Sequence, residues 1–230
     1  MKLFASAHIS QRVGEASPSY LWHPEAAARI HAKRADAKII ALVRHPIARA
    51  YSQYRMDLAD GLPPISFNEL VRREYARGDQ VYGTGHLYVE LGLYAEALTR
   101  YVTYFSAERV LVLSFQEWAD PRKLLQRVAA FLEIDMSGFG DMDALAVYNQ
   151  NVVPRNAAIA EMLRLRALRR LHRAWVPTRV RNLLRERAFV MPAQNALEPA
   201  AVEFLREIYL PDWRSVREHF GDLYELECQV

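Results

Sequence analysis

Two short apolar runs, each followed by a helical pattern, organise the hydrophobic sequence of this chain. The first run covers residues 38–43 and the second covers residues 109–115. Runs of this length with aliphatic and β-branched side chains are typical of strands buried on both faces of a parallel sheet. The sequence therefore predicts an α/β fold in which a parallel sheet is flanked by helices.

Helical periodicity and helix-start residues predict the elements between and after the strands. Ser66, with Glu69 three residues on, predicts an N-cap, and Asp120 with Pro121 predicts a second helix start. Pro211 predicts a break in the last helix. The predicted helices are residues 25–33, 46–59, 66–77 (with an apolar face of Phe67, Leu70, Val71 and Tyr75), 92–106, 121–132, 157–187 and 197–220.

The turn after the first strand is a candidate anion site. Arg44 follows the strand, Pro46 sets the first turn of the next helix, and Ser52 lies two turns into it. The first N–H groups of a helix are unpaired, and a guanidinium is suited to bind a phosphate. Ala48 and Ala50 would leave room for a ligand. A surface arginine and a helix serine without any ligand remain the alternative.

Composition narrows the function classes only moderately. The chain has 230 residues, 51% of them hydrophobic, which suits one domain with a sizeable core. Its single cysteine excludes an internal disulfide and a cysteine-based metal cage. Its apolar runs are too short for a membrane span, and it shows no signal peptide, so we expect a cytoplasmic protein. A net charge of +3 favours an anionic ligand or acceptor.

The predicted helix at 157–187 is strongly basic. Nine arginines fall between residues 164 and 187, where Glu186 is the one acidic residue. A solvated face, a surface for a polyanion or an anionic membrane, and a nucleic-acid surface are the three interpretations. Nucleic acid is the weakest of them, because no known binding module accompanies the arginines.

The strand–turn–helix segment resembles a known family. Its residues match the 3′-phosphate motif of sulfotransferases that use 3′-phosphoadenosine 5′-phosphosulfate (PAPS), in the heparan-sulfate-type and bacterial branch: Arg44, Pro46, Arg49, Ala50, Ser52 and Tyr54. The resemblance implies a P-loop-NTPase-like fold and sulfuryl transfer from PAPS to an acceptor hydroxyl or amine. The product that remains is 3′-phosphoadenosine 5′-phosphate (PAP). It also implies that Arg44 and Ser52 hold the 3′-phosphate and that no metal is needed. The sequence does not identify the acceptor, for which a glycan is one candidate.

Other segments are similar to the same family. One segment matches a family segment that lines the active-site cleft, through Glu15, Ser17, Pro18 and Tyr20. Ala16 stands where many relatives have a lysine. The alternative for Glu15 is an ion pair with a nearby arginine, without a role in the cleft. The pattern Asn151, Pro154, Arg155 implies a second phosphate cation at Arg155, with a solvated helix-entry arginine as the alternative. Further matches are Gly92, Tyr94, the segment 115–118 with a weakened acidic pair at Gln116 and Glu117, Asp120, Pro121, Phe131, Leu132, Tyr209, Asp212 and Gly221.

One family feature has no counterpart in the sequence. Members begin with a strand and a turn rich in Lys, Gly, Ser and Thr that holds the 5′-phosphosulfate, whereas the nearest candidate here, residues 83–85, lies downstream and lacks lysine. We therefore expect residues 1–230 to form a single partial sulfotransferase domain, truncated at its N-terminus, with 157–230 as its helical C-terminal portion. A misassigned start, a piece supplied by another chain and a degraded relative remain open as explanations.

These expectations limit the predicted activity. We expect little or no transferase activity from the chain as printed, and no catalytic base can be assigned from its sequence. The alternative is a non-catalytic module that binds a nucleotide or polyanion through the basic helical face. PAP binding that depends on Arg44 would distinguish the first hypothesis from the second.

Overall fold

The computed structural model describes residues 6–8, 11–59, 65–78, 87–136, 153–154, 189–190, 197–224 and 226. Its strands are β1 (Ile39–Val43), β2 (Val110–Ser114), β3 (Val153–Pro154) and β4 (Phe189–Val190). Its α-helices are α1 (Ala26–Lys33), α2 (Pro46–Ala59), α3 (Phe67–Arg77), α4 (Ala95–Phe105), α5 (Pro121–Leu132) and α6 (Pro199–Phe220). Short 3₁₀ helices cover Glu90–Gly92, Ala107–Arg109 and Phe115–Ala119.

The two predicted strands pair as expected. β1 and β2 run parallel, with Ile39 beside Val110 and Val43 beside Ser114. β3 and β4 form a separate antiparallel pair. The parallel pair with its flanking helices confirms the predicted α/β class.

The prediction that the first strand is buried on both faces is wrong. Ala41 and Val43 face a core shared with Leu98 of α4 and Val216 of α6. Ile40 and Leu42 point the other way, with exposed fractions of 40% and 46%. In the described part of the chain, none of the helices covers this side of β1.

Local capping chemistry places several helices where the sequence predicted them. The Ser66 hydroxyl accepts the Glu69 N–H at 3.1 Å, and the Asp120 carboxylate accepts the Lys123 N–H at 3.0 Å. The predicted apolar face of α3 is partly wrong, because Tyr75 is exposed and Glu74 is buried instead. Glu74 is drawn inward because its carboxylate binds backbone N–H groups of residues 88–90.

The predicted break at Pro211 is also wrong. α6 continues through this proline to Phe220. A proline removes one backbone hydrogen bond from a helix interior and crowds the preceding turn. Leu205 and Tyr209 are buried before it and Val216 after it, so packing holds both halves in one helix.

The start of α2 depends on a histidine cap. The Ala48 N–H donates to His45 Nδ1 at 3.4 Å, and the Arg49 N–H donates to the His45 carbonyl at 2.9 Å. Because Nδ1 accepts, the neutral ring carries its proton on Nε2. Burial lowers the pKa of His45, hydrogen bonding to the backbone opposes this, and the charges of Arg206 and Arg44 lower it further.

Several predicted features lie outside the described residues. They include the basic segment 157–187, the loop candidate 83–85, Asn151 and Arg155. Within the predicted loop 147–156, the structure describes Val153–Pro154, which form β3 rather than a loop. In the described parts of the chain, every helix is too short or too polar to cross a lipid bilayer.

Replacing Gly92 by alanine is expected to destabilise the fold. A Cβ at this position would lie 2.6 Å from the hydroxyl oxygen of Tyr209, a residue that is buried in the core. Overpacking of this kind costs about 1–3 kcal/mol. Urea unfolding should show that loss for Gly92→Ala, whereas Gly14→Ala, with open space around it, should be near neutral. Equal stability of the two variants would contradict the packing described for Gly92.

The His45 cap is expected to make stability depend on pH. Since the folded pKa is lowered, the unfolded chain takes up the proton first, near pH 6.5. This contribution to stability is complete above that pH and is lost as pH falls through the folded pKa. His45→Asn keeps a capping side chain that does not titrate.

Urea unfolding at pH 7.5 and pH 5.0 should therefore show a smaller loss in His45→Asn than in the unaltered chain. His219→Asn, at an exposed histidine of α6, is the matched control and should lose as much as the unaltered chain. The same loss in all three proteins would contradict a lowered pKa of His45 in the folded state.

Candidate functional site

The carboxyl ends of β1 and β2 bring a cation and an aromatic ring together. Val43 lies beside Ser114, so the next residues, Arg44 and Phe115, leave the sheet at the same edge. The Arg44 guanidinium carbon lies 5.0 Å from the centroid of the Phe115 ring. Ligands of open α/β sheets bind outside the carboxyl ends of the strands, which makes this edge the candidate site.

The Arg44 side chain is half-buried, and a hydrogen bond to its backbone carbonyl restrains the residue. The Tyr94 hydroxyl donates to the Arg44 carbonyl at 2.9 Å. Burial lowers the pKa of Arg44, the hydroxyl of Tyr94 opposes this, and the charge of Arg49 lowers it further. Among the residues that the structure describes, no carboxylate pairs with Arg44. A desolvated cation without a paired carboxylate is stabilised when an anion binds to it, so Arg44 is a candidate anion-binding residue.

Ser52 lies on α2, one turn after Ala48. Arg44 precedes this helix by two residues, in the turn that joins β1 to α2. Ala48 and Ser52 are half-buried, and the Ser52 hydroxyl has no hydrogen-bond partner among the described residues. Ala50 does not leave room for a ligand as predicted, because it is fully buried in the core.

A second arginine lies near this edge with its side chain turned into the protein. Arg49 Nη2 donates to the Tyr88 carbonyl, and Nε is buried without a partner in the described part of the chain. Its charge also acts on Arg44 and Tyr94. Arg49 therefore joins α2 to the 87–92 segment and adds positive potential beside Arg44.

The turn after β2 is fixed by a capping box. The Ser114 hydroxyl accepts the Gln116 N–H at 3.1 Å, and the Glu117 carboxylate accepts the Ser114 N–H at 2.8 Å. Glu117 also pairs with Arg127. Glu117, one of the two residues at the family's acidic pair, thus has a structural role here.

An open cleft of about 450 Å³ lies on the β2 side of this edge. Its lining carries two carboxylates, Glu117 and Asp222, and one cation, Arg127. Glu117 pairs with Arg127 and Asp222 pairs with Arg217, so the described lining offers a phosphate no unpaired cation. The candidate anion site at this edge is therefore Arg44.

The Glu15 segment gives no catalytic assignment. The Glu15 carboxylate contacts the Tyr20 hydroxyl and raises the pKa of Tyr20, rather than forming the alternative ion pair with an arginine. Arg155, the third predicted site residue, lies outside the described residues. No group of three or more His, Cys, Asp or Glu in the described ranges has the geometry of a metal site.

Sequence reasoning missed two parts of this site. Phe115 was read only as part of a family pattern, and its contact with Arg44 requires the strand register. His45 stands directly before Pro46, where a helix cap was to be expected, so position alone would have indicated its role.

Comparison with known proteins finds relatives among the heparan sulfate sulfotransferases. The chain is 35% identical over 119 residues to heparan sulfate glucosamine 3-O-sulfotransferase 3B1 of Mus musculus. The aligned region covers 51% of this chain and 30% of that protein. The chain is 38% identical over 121 residues to heparan sulfate glucosamine 3-O-sulfotransferase 6 of Homo sapiens, covering 51% and 34%. The chain thus matches about a third of the length of these relatives.

A solved structure extends the likeness to nearly the whole chain. The sulfotransferase from Alicyclobacillus acidocaldarius superposes with a TM-score of 0.65 and 26% identity, covering 94% of this chain and 68% of that one. Residues 23–179 match the family described as "Sulfotransferase domain". That span is more than half of the chain and includes the β1–α2 and β2–α5 units. The chain belongs to the sulfotransferase domain family.

Proposed function

We propose that this chain carries the 3′-phosphate site of a PAPS-dependent sulfotransferase, in which Arg44 and Ser52 bind the phosphate. The observation that supports this most is the half-buried Arg44 guanidinium at the carboxyl edge of a parallel pair, with no carboxylate partner among the described residues. A planar guanidinium offers paired N–H donors to two phosphate oxygens. In this proposal the Ser52 hydroxyl of α2 adds a neutral donor to the same phosphate.

The reaction we propose for the complete site is in-line transfer of a sulfuryl group. An acceptor hydroxyl or amine attacks the sulfur of PAPS, and the bond from sulfur to the 5′-phosphate oxygen breaks. PAP leaves with that oxygen, and the O–H or N–H proton of the acceptor is released. Positioning and charge stabilisation supply most of the rate in such transfers. In this scheme Arg44 and Ser52 bind and orient the donor and do not take part in proton transfer. Arg155 is proposed as a further phosphate cation.

The acceptor side of the proposal is broader. A carbohydrate acceptor is supported by the glucosamine named in the relatives, which match half of this chain. A cytoplasmic location and the single-domain division, with 157–230 as a helical C-terminal portion, also remain proposals.

Replacing Arg44 is expected to abolish most PAP affinity. Loss of a hydrogen bond from a charged group costs about 1.5–3 kcal/mol, which weakens binding on the order of 10- to 100-fold. Calorimetry with PAP should show this for Arg44→Ala and a smaller loss for Ser52→Ala. Arg34→Ala, at an exposed arginine that pairs with Asp36, is the matched control and should bind as the unaltered chain does.

Two results would contradict this assignment. Failure of the folded, unaltered chain to bind PAP would leave the site without its proposed ligand. Tight PAP binding that survives Arg44→Ala would move the nucleotide elsewhere, with the basic segment 164–187 as the alternative surface.

Transferase activity of the 230-residue chain is expected to be absent or very low. No turn rich in Lys, Gly, Ser and Thr precedes β1 in the sequence, so the 5′-phosphosulfate lacks its usual donors. Losing even one such charge-stabilising donor costs about 2.7–4 kcal/mol of transition-state stabilisation. Transfer from PAPS to desulfated heparan sulfate should stay at the level of a blank that contains Arg44→Ala. Turnover of about 1 s⁻¹ or faster, within the common range for enzymes, would contradict this.

A further inference from the structure

The ring of Phe115 is exposed although it packs against a cation. Phe115 directly follows β2 and keeps 44% of its surface exposed. The Ser114–Glu117 capping box fixes the backbone of its turn, so the ring cannot easily fold into the core. An apolar ring held at a ligand-binding edge of a sheet calls for a role beyond packing.

The position of the ring relative to Arg44 indicates that role. The guanidinium carbon lies 5.0 Å from the ring centroid, within the range of a cation–π contact. When a guanidinium stacks on a ring, the contact uses its planar face and leaves the in-plane N–H donors available to an anion. The Tyr94 hydroxyl holds the Arg44 carbonyl, so both ends of this residue are restrained.

From this geometry we infer that Phe115 is a positioning residue for the anion site. It holds the Arg44 guanidinium in the orientation that binds the donor's 3′-phosphate, and so lowers the entropy lost on binding. The inference rests on the proposed function, since it assigns Phe115 to the same phosphate. Phe115 acts through Arg44 and does not itself contact the phosphate.

The test compares PAP with adenosine 5′-monophosphate, which lacks the 3′-phosphate. Calorimetry on the full chain should show PAP binding weakened roughly three- to tenfold by Phe115→Leu. Phe115→Tyr should restore affinity to within about twofold, because it restores the aromatic face. Affinity for adenosine 5′-monophosphate should not change in either variant.

Two controls separate positioning from a general structural effect. Trp118→Leu removes an equally exposed ring of the same turn, over which no described cation lies, and should leave PAP affinity unchanged. In an Arg44→Ala background, Phe115→Leu should cause no further loss. Independent losses, in which the two substitutions weaken binding additively, would overturn the inference.

The remaining outcomes are also decisive. Equal weakening of PAP and adenosine 5′-monophosphate by Phe115→Leu would mean that the ring contacts the nucleoside, which overturns the positioning role. Tight PAP binding by both the unaltered chain and Phe115→Leu would overturn this inference and leave the proposed function intact. A folded, unaltered chain that does not bind PAP would overturn both.

Discussion

The segment 87–92 has backbone groups outside regular secondary structure, and side chains from three helices bind them. The Glu74 carboxylate of α3 accepts N–H groups of residues 88–90 at 2.5–3.0 Å. The Tyr209 hydroxyl of α6 has one proton, which lies within reach of the Val89 carbonyl at 2.9 Å and the Tyr88 carbonyl at 3.1 Å. Arg49 of α2 also donates to the Tyr88 carbonyl. Buried backbone groups left unpaired would cost free energy, so this one segment fixes α2, α3 and α6 relative to each other.

The candidate site inherits its geometry from that arrangement and from the strand register. α2 carries Ser52, and its position depends on the Arg49 bond to the 87–92 segment. β1 and β2 end at the same level, which places Arg44 over Phe115. The site is therefore assembled from the ends of regular elements, each of which is fixed by a cap or a buried hydrogen bond.

Features that depend on neighbouring residues were predictable from the sequence, and features that depend on tertiary packing were not. The Ser66 and Asp120 caps and the strand–turn–helix unit around Arg44 follow from local chemistry. The exposed face of β1 at Ile40 and Leu42 and the continuity of α6 through Pro211 depend on which surfaces meet. Ser52 was a site candidate by pattern, but the contact between Arg44 and Phe115 needs the register of two strands 70 residues apart.

The charge at this edge favours a phosphate monoester over a singly charged group. Arg44 and Arg49 are both half-buried, and the charge of Arg49 acts on Arg44. A phosphate monoester carries about −1.5 to −2 at pH 7, which nearly matches the two cations, whereas a sulfate ester or carboxylate carries a single charge and would leave one uncompensated. Since uncompensated buried charge is costly, two neighbouring arginines would favour the more highly charged anion at the proposed site.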